Sequence, residues 1–226
     1  MSRRTGNVGV IGDRHAPFTH PGYLDFCLDT FKRHQCDTFI DIGDGADQHA
    51  LSFHGTDPSG QSPKAEMAEA KKELAKWFKA FPRAKSCIGN HDARIARKAY
   101  AGGIPSEFLK PLKEVYGAPD GWEFGFQFVI KGVVYKHGNG TSGHNAAFML
   151  AKACRQSVVA GHVHTAGGVH YHACDKDLLF GMNVACGIDR HTYAFAYGCD
   201  FKNKPILGCG VVVNNGTLPI FVPMPL

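Results

Sequence analysis

The chain has 226 residues, 44% of them hydrophobic and 20% charged, with a net charge of +5 when histidine is neutral. This is the composition of an ordinary globular protein and fits a single domain over residues 1–226. No apolar run approaches the roughly 18–20 residues of a membrane span; the opening Met1-Ser2-Arg3-Arg4-Thr5 lacks the core of a secretory leader, and the basic excess is thinly spread.

The first half alternates strand and helix. Asn7 to Ile11 reads as a short buried strand ending in Gly12-Asp13. A helix is expected from about Pro21, because Tyr23, Cys27 and Phe31 recur at i, i+4 and i+8. Thr38 to Ile42 reads as a second strand, ending in Gly43-Asp44. The clearest helix opens at Ser62-Pro63, an N-cap followed by proline at the first helical position. Its apolar stripe is Met67, Ala70, Leu74, Trp77, Phe78 and Phe81; lysines and glutamates are expected to cover the rest, and Pro82 ends it. A third strand, Lys85 to Ile88, runs into Gly89-Asn90-His91-Asp92, and a basic helix with Arg94, Arg97 and Lys98 follows.

In the second half, Phe124 to Ile130 and Val133 to Lys136 read as paired strands turning at Lys131-Gly132. A helix from about His144 to Ala153 precedes a strand at Ser157 to Ala160. Ile206 to Val213 and Thr217 to Val222 form a hairpin about Asn214-Asn215-Gly216. The expected class is α/β: two sheets packed face to face with helices outside, the second sheet largely antiparallel. The eight cysteines form no CxxC pair and read as buried thiols of a reducing, cytoplasmic setting.

Five polar clusters share one placement. They are Gly12-Asp13-Arg14-His15, Gly43-Asp44-Gly45-Ala46-Asp47, Gly89-Asn90-His91-Asp92, Lys136-His137-Gly138-Asn139 and Gly161-His162-Val163-His164. Each begins at the end of an apolar strand, where α/β sheets put their ligand sites. Alone, any of them could be a turn or a helix cap; five together in this order carry the weight. Carboxylate, imidazole and amide oxygen, with no cysteine, suit divalent ions such as Mn²⁺, Fe²⁺ or Zn²⁺. Seven donors are too many for one ion and about right for two that share a carboxylate.

This series resembles the calcineurin-like metallophosphoesterase superfamily, over positions 12 to 164. The runs 44–54 and 188–197 are similar in texture to small metallophosphoesterases encoded by bacteriophages, which would place the chain in host cytoplasm. The resemblance implies a four-layer sandwich fold and two divalent metal ions, Mn²⁺ foremost, with Fe, Zn or Ni as alternatives. It implies that Asp13, His15 and His164 hold the first ion, that Asn90, His137 and His162 hold the second, and that Asp44 bridges them. His91 would sit beside the substrate and serve the leaving oxygen, with Asp47 behind it and Asp92 competing for that place. Arg14 and Arg94 are within reach to bind substrate, and His49 and His54 are candidates for the pocket wall. Two cations about 3.5–4 Å apart would clamp the phosphoryl oxygens and acidify a water.

The expected function is hydrolysis of a phosphomonoester or phosphodiester, either a small molecule or nucleotide or, less favoured, a nucleic acid, away from any membrane. A serine/threonine protein phosphatase is disfavoured, since Gln48 stands where those enzymes carry arginine after the second aspartate, and Asp92 where they usually carry glutamate. The alternative is a catalytically silent interaction module on the same scaffold, which would predict decayed ligands. After His164, the alternating Tyr193, Phe195 and Tyr197 could stack on a base or fill a sheet face. His144, His170, His172 and His191 read as surface or satisfied core residues.

Overall fold

The computed structural model describes residues 6–53, 55–192 and 203–225, so His54, Tyr193, Phe195 and Tyr197 lie outside the described residues. The chain runs β1 (Asn7–Ile11), α1 (Tyr23–Arg33), β2 (Cys36–Asp41), α2 (Pro63–Ala80), β3 (Ala84–Cys87), α3 (Arg94–Ala101), α4 (Leu112–Tyr116) and β4 (Trp122–Gly125). It continues through β5 (Gln127–Ile130), β6 (Val133–Lys136), α5 (Ala146–Cys154), β7 (Val158–Ala160), β8 (Gly167–Ala173), β9 (Leu178–Val184), β10 (Gly208–Val213) and β11 (Leu218–Pro223). The helix at Ser62-Pro63 forms as read, with Ser62 Oγ accepting from the Ala65 amide at 3.3 Å.

Two sheets result. The first has the order β11-β10-β1-β2-β3-β4, with β1 to β4 parallel and the β10–β11 hairpin antiparallel on the β1 edge. The second has the order β5-β6-β7-β9-β8; its β6–β7 and β7–β9 pairings are parallel, so it is mixed rather than largely antiparallel. The expected strand from Phe124 to Ile130 is two strands in different sheets. It breaks at Phe126, which is 74% exposed, and only β5 pairs with β6.

Alternation along the strands assigns the layers. Val8, Val10, Ile40 and Val212 of the first sheet meet Tyr135, Val159, Met182 and Val184 of the second in a dry inter-sheet core. The opposite face of the first sheet, through Ile11, Cys209 and Val211, takes Tyr23 and Phe31 of α1 and Leu74 and Trp77 of α2. On the outer face of the second sheet, Val134, Val158 and Ala160 pack on Ala147 and Ala151 of α5. The architecture is therefore helix, sheet, sheet, helix, as expected.

Of the cysteines, Cys27, Cys87, Cys186 and Cys209 are buried thiols, whereas Cys154 and Cys174 are exposed. Among the described residues no helix is long and apolar enough to cross a membrane. Leu74 is fully buried between α2 and the first sheet. Leu74→Ala should therefore cost about 2–5 kcal/mol, measured as a lowered urea midpoint with an unchanged denaturant slope.

Candidate metal centre

The parallel strands β1, β2, β3, β6 and β7 deliver their following residues to one edge of the sandwich. Asp13, Asp44 and His137 are no more than 1% exposed there. His15 and Asp44 both have φ of 51°, and His162 has φ of 67°. Left-handed backbone at non-glycine residues is uncommon and concentrates where a side chain must be aimed. Two glycines are needed beside them. A methyl group on Gly89 would overlap Asp44 Oδ1, and one on Gly161 would overlap Asp13 Oδ1.

Among the described residues, three groups of side chains could hold a metal ion: Asp13 with His15 and His164, Asp44 with His137 and His162, and His15 with Asp44 and His91. In the first, His164 Nε2 lies 3.0 Å from His15 Nε2 and 3.2 Å from Asp13 Oδ2. His15 Nδ1 is 2.6 Å from Asp47 Oδ1, an acceptor, so the proton sits on Nδ1 and Nε2 presents a lone pair. In the second, His137 Nδ1 is 3.1 Å from the Ile42 carbonyl, and its Nε2 is 3.1 Å from both Asn90 Oδ1 and Asp44 Oδ2. Asp44 joins the groups, its Oδ2 also lying 3.9 Å from His15 Nε2 and 4.0 Å from His91 Nε2. Asp13 Oδ1 is buried and accepts no hydrogen bond. Converging acceptors and an orphaned carboxylate oxygen fit divalent cations.

The electrostatics agree. Burial alone would raise the Asp44 pKa, but His137 foremost, with His91 and His15, holds it well below the carboxylate range. Burial opposes a charged His137, yet Asp44 and Asp13 outweigh it and push its pKa up to about 10. The pocket thus gathers positive charge, and a proton is the smallest cation it can recruit.

His91 lies beside Asp47: its Nδ1 is 2.7 Å from the Asp47 carbonyl and 3.2 Å from Asp47 Oδ1. Asp92 is not its partner. Asp92 instead accepts from the amides of Asp44, Gly45 and Gly89 and from the Tyr116 hydroxyl, at 2.6–3.1 Å. Burial and the neighbouring Asp44 push the Asp92 pKa up to about 6, while the Tyr116 hydroxyl and the Gly89 amide favour its ionised form. Arg94 donates to the Asp47 and Gln48 carbonyls, and its Nη2 is 3.2 Å from His91 Nε2.

Two expectations fail. Arg14 does not face the pocket; it is 1% exposed, its Nη2 pairs with Asp41 Oδ2 at 2.8 Å, and its guanidinium lies over Trp77 and Trp122. Side chains alternate along the strand exit, so Arg14 points to the helix side while its neighbours Asp13 and His15 enter the site. His49 is buried behind Asp47, with Nδ1 4.0 Å from Asp47 Oδ2 and Nε2 accepting from the Asp57 amide at 3.0 Å, so it backs the site without lining it. Sequence reading missed Tyr116 and Glu66. Glu66, read as part of a solvated helix face, is 2% exposed and accepts from the amides of His49 and Ala50.

No family model and no curated relative matches the chain. Among solved structures it is similar to a metallophosphoesterase from Sphaerobacter thermophilus, 14% identical, covering 97% of this chain and 88% of that one at a TM-score of 0.51. It is also similar to Yfce, a phosphoesterase from E. coli, 15% identical, covering 92% of this chain and 88% of that one at 0.43. A mutant of Vps29 from Entamoeba histolytica is 12% identical, covering 97% and 99% at 0.45. The fold is that of the calcineurin-like phosphoesterases, a scaffold that does not by itself specify an activity.

Gly89→Ala tests the geometry by displacing Asp44 while keeping every candidate donor in place in the sequence. It should weaken divalent-cation binding by about 10–100-fold in calorimetric titration, the range seen when a ligand's support is disturbed.

Proposed function

We propose that the chain is a phosphoesterase that uses two divalent metal ions to hydrolyse a phosphomonoester or phosphodiester. The observation that supports it most is the position of Asp44, one buried carboxylate between an Asp13-His15-His164 group and an Asn90-His137-His162 group. In this reading each group would hold one cation and Asp44 would be shared between them, with Mn²⁺ the first choice and Fe, Zn or Ni as alternatives. When bound, the cations neutralise charge on the phosphoryl oxygens and acidify the attacking water.

The chain's own residues supply the rest. Water adds its oxygen to phosphorus as the bond to the leaving oxygen breaks, and the leaving oxygen must gain a proton. His91 is placed for that transfer. Its Nδ1 faces two acceptors of Asp47, so Nε2 is the atom directed at the site. Burial lowers its pKa, but Asp44 and Asp47 together raise it above the ordinary value. Asp47 holds both His91 and His15, which couples the orientation of the acid to that of a metal ligand. Arg94 fixes the Asp47–Gln48 backbone and reaches His91, a position from which it can also meet a substrate oxygen. The sequence texture at 44–54 and 188–197 supports a place among small enzymes of bacteriophages, working in the host cytoplasm.

Purified protein with added Mn²⁺ should cleave a chromogenic monoester or diester, and Asp44→Asn should remove that activity. If the protein takes up metal and cleaves no ester, it is an interaction module and the proposal is lost. His91→Asn should slow esters with poor leaving groups by about 10²–10⁴-fold and p-nitrophenyl esters far less. An equal loss on both would assign His91 a structural role.

A further inference from the structure

A cavity of about 720 Å³ opens beside α3, lined by Phe53, Arg97, Tyr100, Ile104 and Pro105 among others. It adjoins the candidate centre through that helix. Arg94, one turn before Arg97, reaches His91 and the Asp47–Gln48 backbone, and Phe53 lies five residues beyond Gln48. Two features make the cavity unusual. Its apolar side chains are left in water: Tyr100 is 86% exposed, Ile104 49% and Phe53 45%, and Phe108 nearby is 74% exposed. A group of large exposed apolar residues marks a binding surface. It also carries a cation in its wall. Arg97 lines it on a helix with no acidic residue, and the Arg97 charge and that of the adjacent Lys98, outside the wall, lie 4.4 and 4.5 Å from the Phe53 ring centroid.

We infer that this cavity is the nucleoside subsite of the candidate centre, so that the substrate is a nucleotidyl phosphodiester. The inference rests on the phosphoesterase reading and deepens it. With the scissile phosphate at the strand ends, Arg97 in the cavity wall meets the anionic side of the ligand, and Arg94 one turn earlier lies between the cavity and His91. The exposed Tyr100 ring offers a stacking face for its base. Stacking on an aromatic ring beside arginine is how proteins hold single bases without reading their edges. A purely apolar partner would leave Arg97 unmatched, and a small inorganic or sugar phosphate would leave Tyr100 and Ile104 in water.

The test compares thymidine 5′-(p-nitrophenyl phosphate) with p-nitrophenyl methyl phosphate, two diesters that share a leaving group and differ by the nucleoside. The wild type should favour the first in kcat/KM by about tenfold or more, the range that stacking of one base supplies. Tyr100→Ala and the double variant Arg97→Ala/Lys98→Ala should bring the ratio towards one, chiefly through KM. A ratio near one in the wild type, or one unchanged in the variants, overturns the subsite; cleavage of the methyl ester then leaves the hydrolytic reading standing. If neither diester is cleaved, the hydrolytic reading falls. Fluorescence anisotropy with a cleavage-resistant phosphorothioate oligothymidine then decides the cavity alone. Binding lost in Tyr100→Ala keeps the nucleotide site, and no binding by the wild type removes it. Tighter binding of the oligomer than of a two-nucleotide phosphorothioate identifies a strand as the ligand; equal binding identifies a small diester.

Discussion

Everything at the sheet edge depends on keeping Asp44 charged out of water. The residue is 1% exposed and has left-handed backbone. An unpaired carboxylate in such a place would take a proton rather than stay ionised. Three histidines prevent that, His137 the most strongly, and the Asp92 carboxylate holds the Asp44 amide at 2.8 Å. The arrangement carries a surplus of negative charge. Arg14 accounts for Asp41 and Arg94 lies 3.8 Å from Asp47, which among the described residues leaves Asp13, Asp44 and Asp92 without a lysine or arginine partner. A proton on His137 relieves part of the surplus. A metal ion would relieve more and would displace that proton, because buried ligands bind metal in their deprotonated form.

The groups that hold this edge in place are themselves buried and polar, and each ties separate strands together. Asp41 of β2 and Ser86 of β3 are register partners, so their side chains share a face, and Ser86 donates to Asp41 at 2.6 Å. Arg14, leaving β1, closes the same network from the helix side under Trp77 and Trp122. Asp92 gathers the amides that follow β2 and β3, and Tyr116 of α4 completes it. Removing one partner from such a network strands the others in a low dielectric, which is more damaging than losing a surface pair. Precision at the site is thus a property of three strand exits clamped from below.

Residue type and strand-end placement made the donors legible, because both are local: a buried apolar run, a glycine, then a carboxylate, imidazole or amide. Direction was harder to read. Arg14 and Arg94 have the same chemistry, and only strand parity and the left-handed turn at His15 send one into the helix layer and leave the other beside His91. Spacing allowed both Asp47 and Asp92 behind His91, and the choice depends on how β2 and β3 sit against each other. Phe124, Phe126, Phe128 and Ile130 alternate as a single strand would, yet the chain changes sheets at Phe126; alternation records a buried face without recording which sheet owns it. Glu66 lies among lysines and glutamates of α2 and looks solvated, but loop amides from His49 and Ala50 cover it.

The structure separates chemistry from recognition. A centre assembled from buried strand ends is fixed by the packing behind it, and in the proposed reading it would treat the phosphoryl group of any ester alike. Discrimination must then come from groups that leave the sheet edge and remain exposed. Among the described residues, α3 and the turn after it meet that condition closest to His91. They follow directly on the donor-bearing Gly89-Asn90-His91-Asp92 segment, and Arg94 in the first turn of α3 reaches His91. They are also free to vary, since Arg97, Lys98 and Tyr100 are exposed and only Ala99 of this helix is buried. In the proposed reading, one short helix sets what is bound while the buried donors at the strand ends stay as they are.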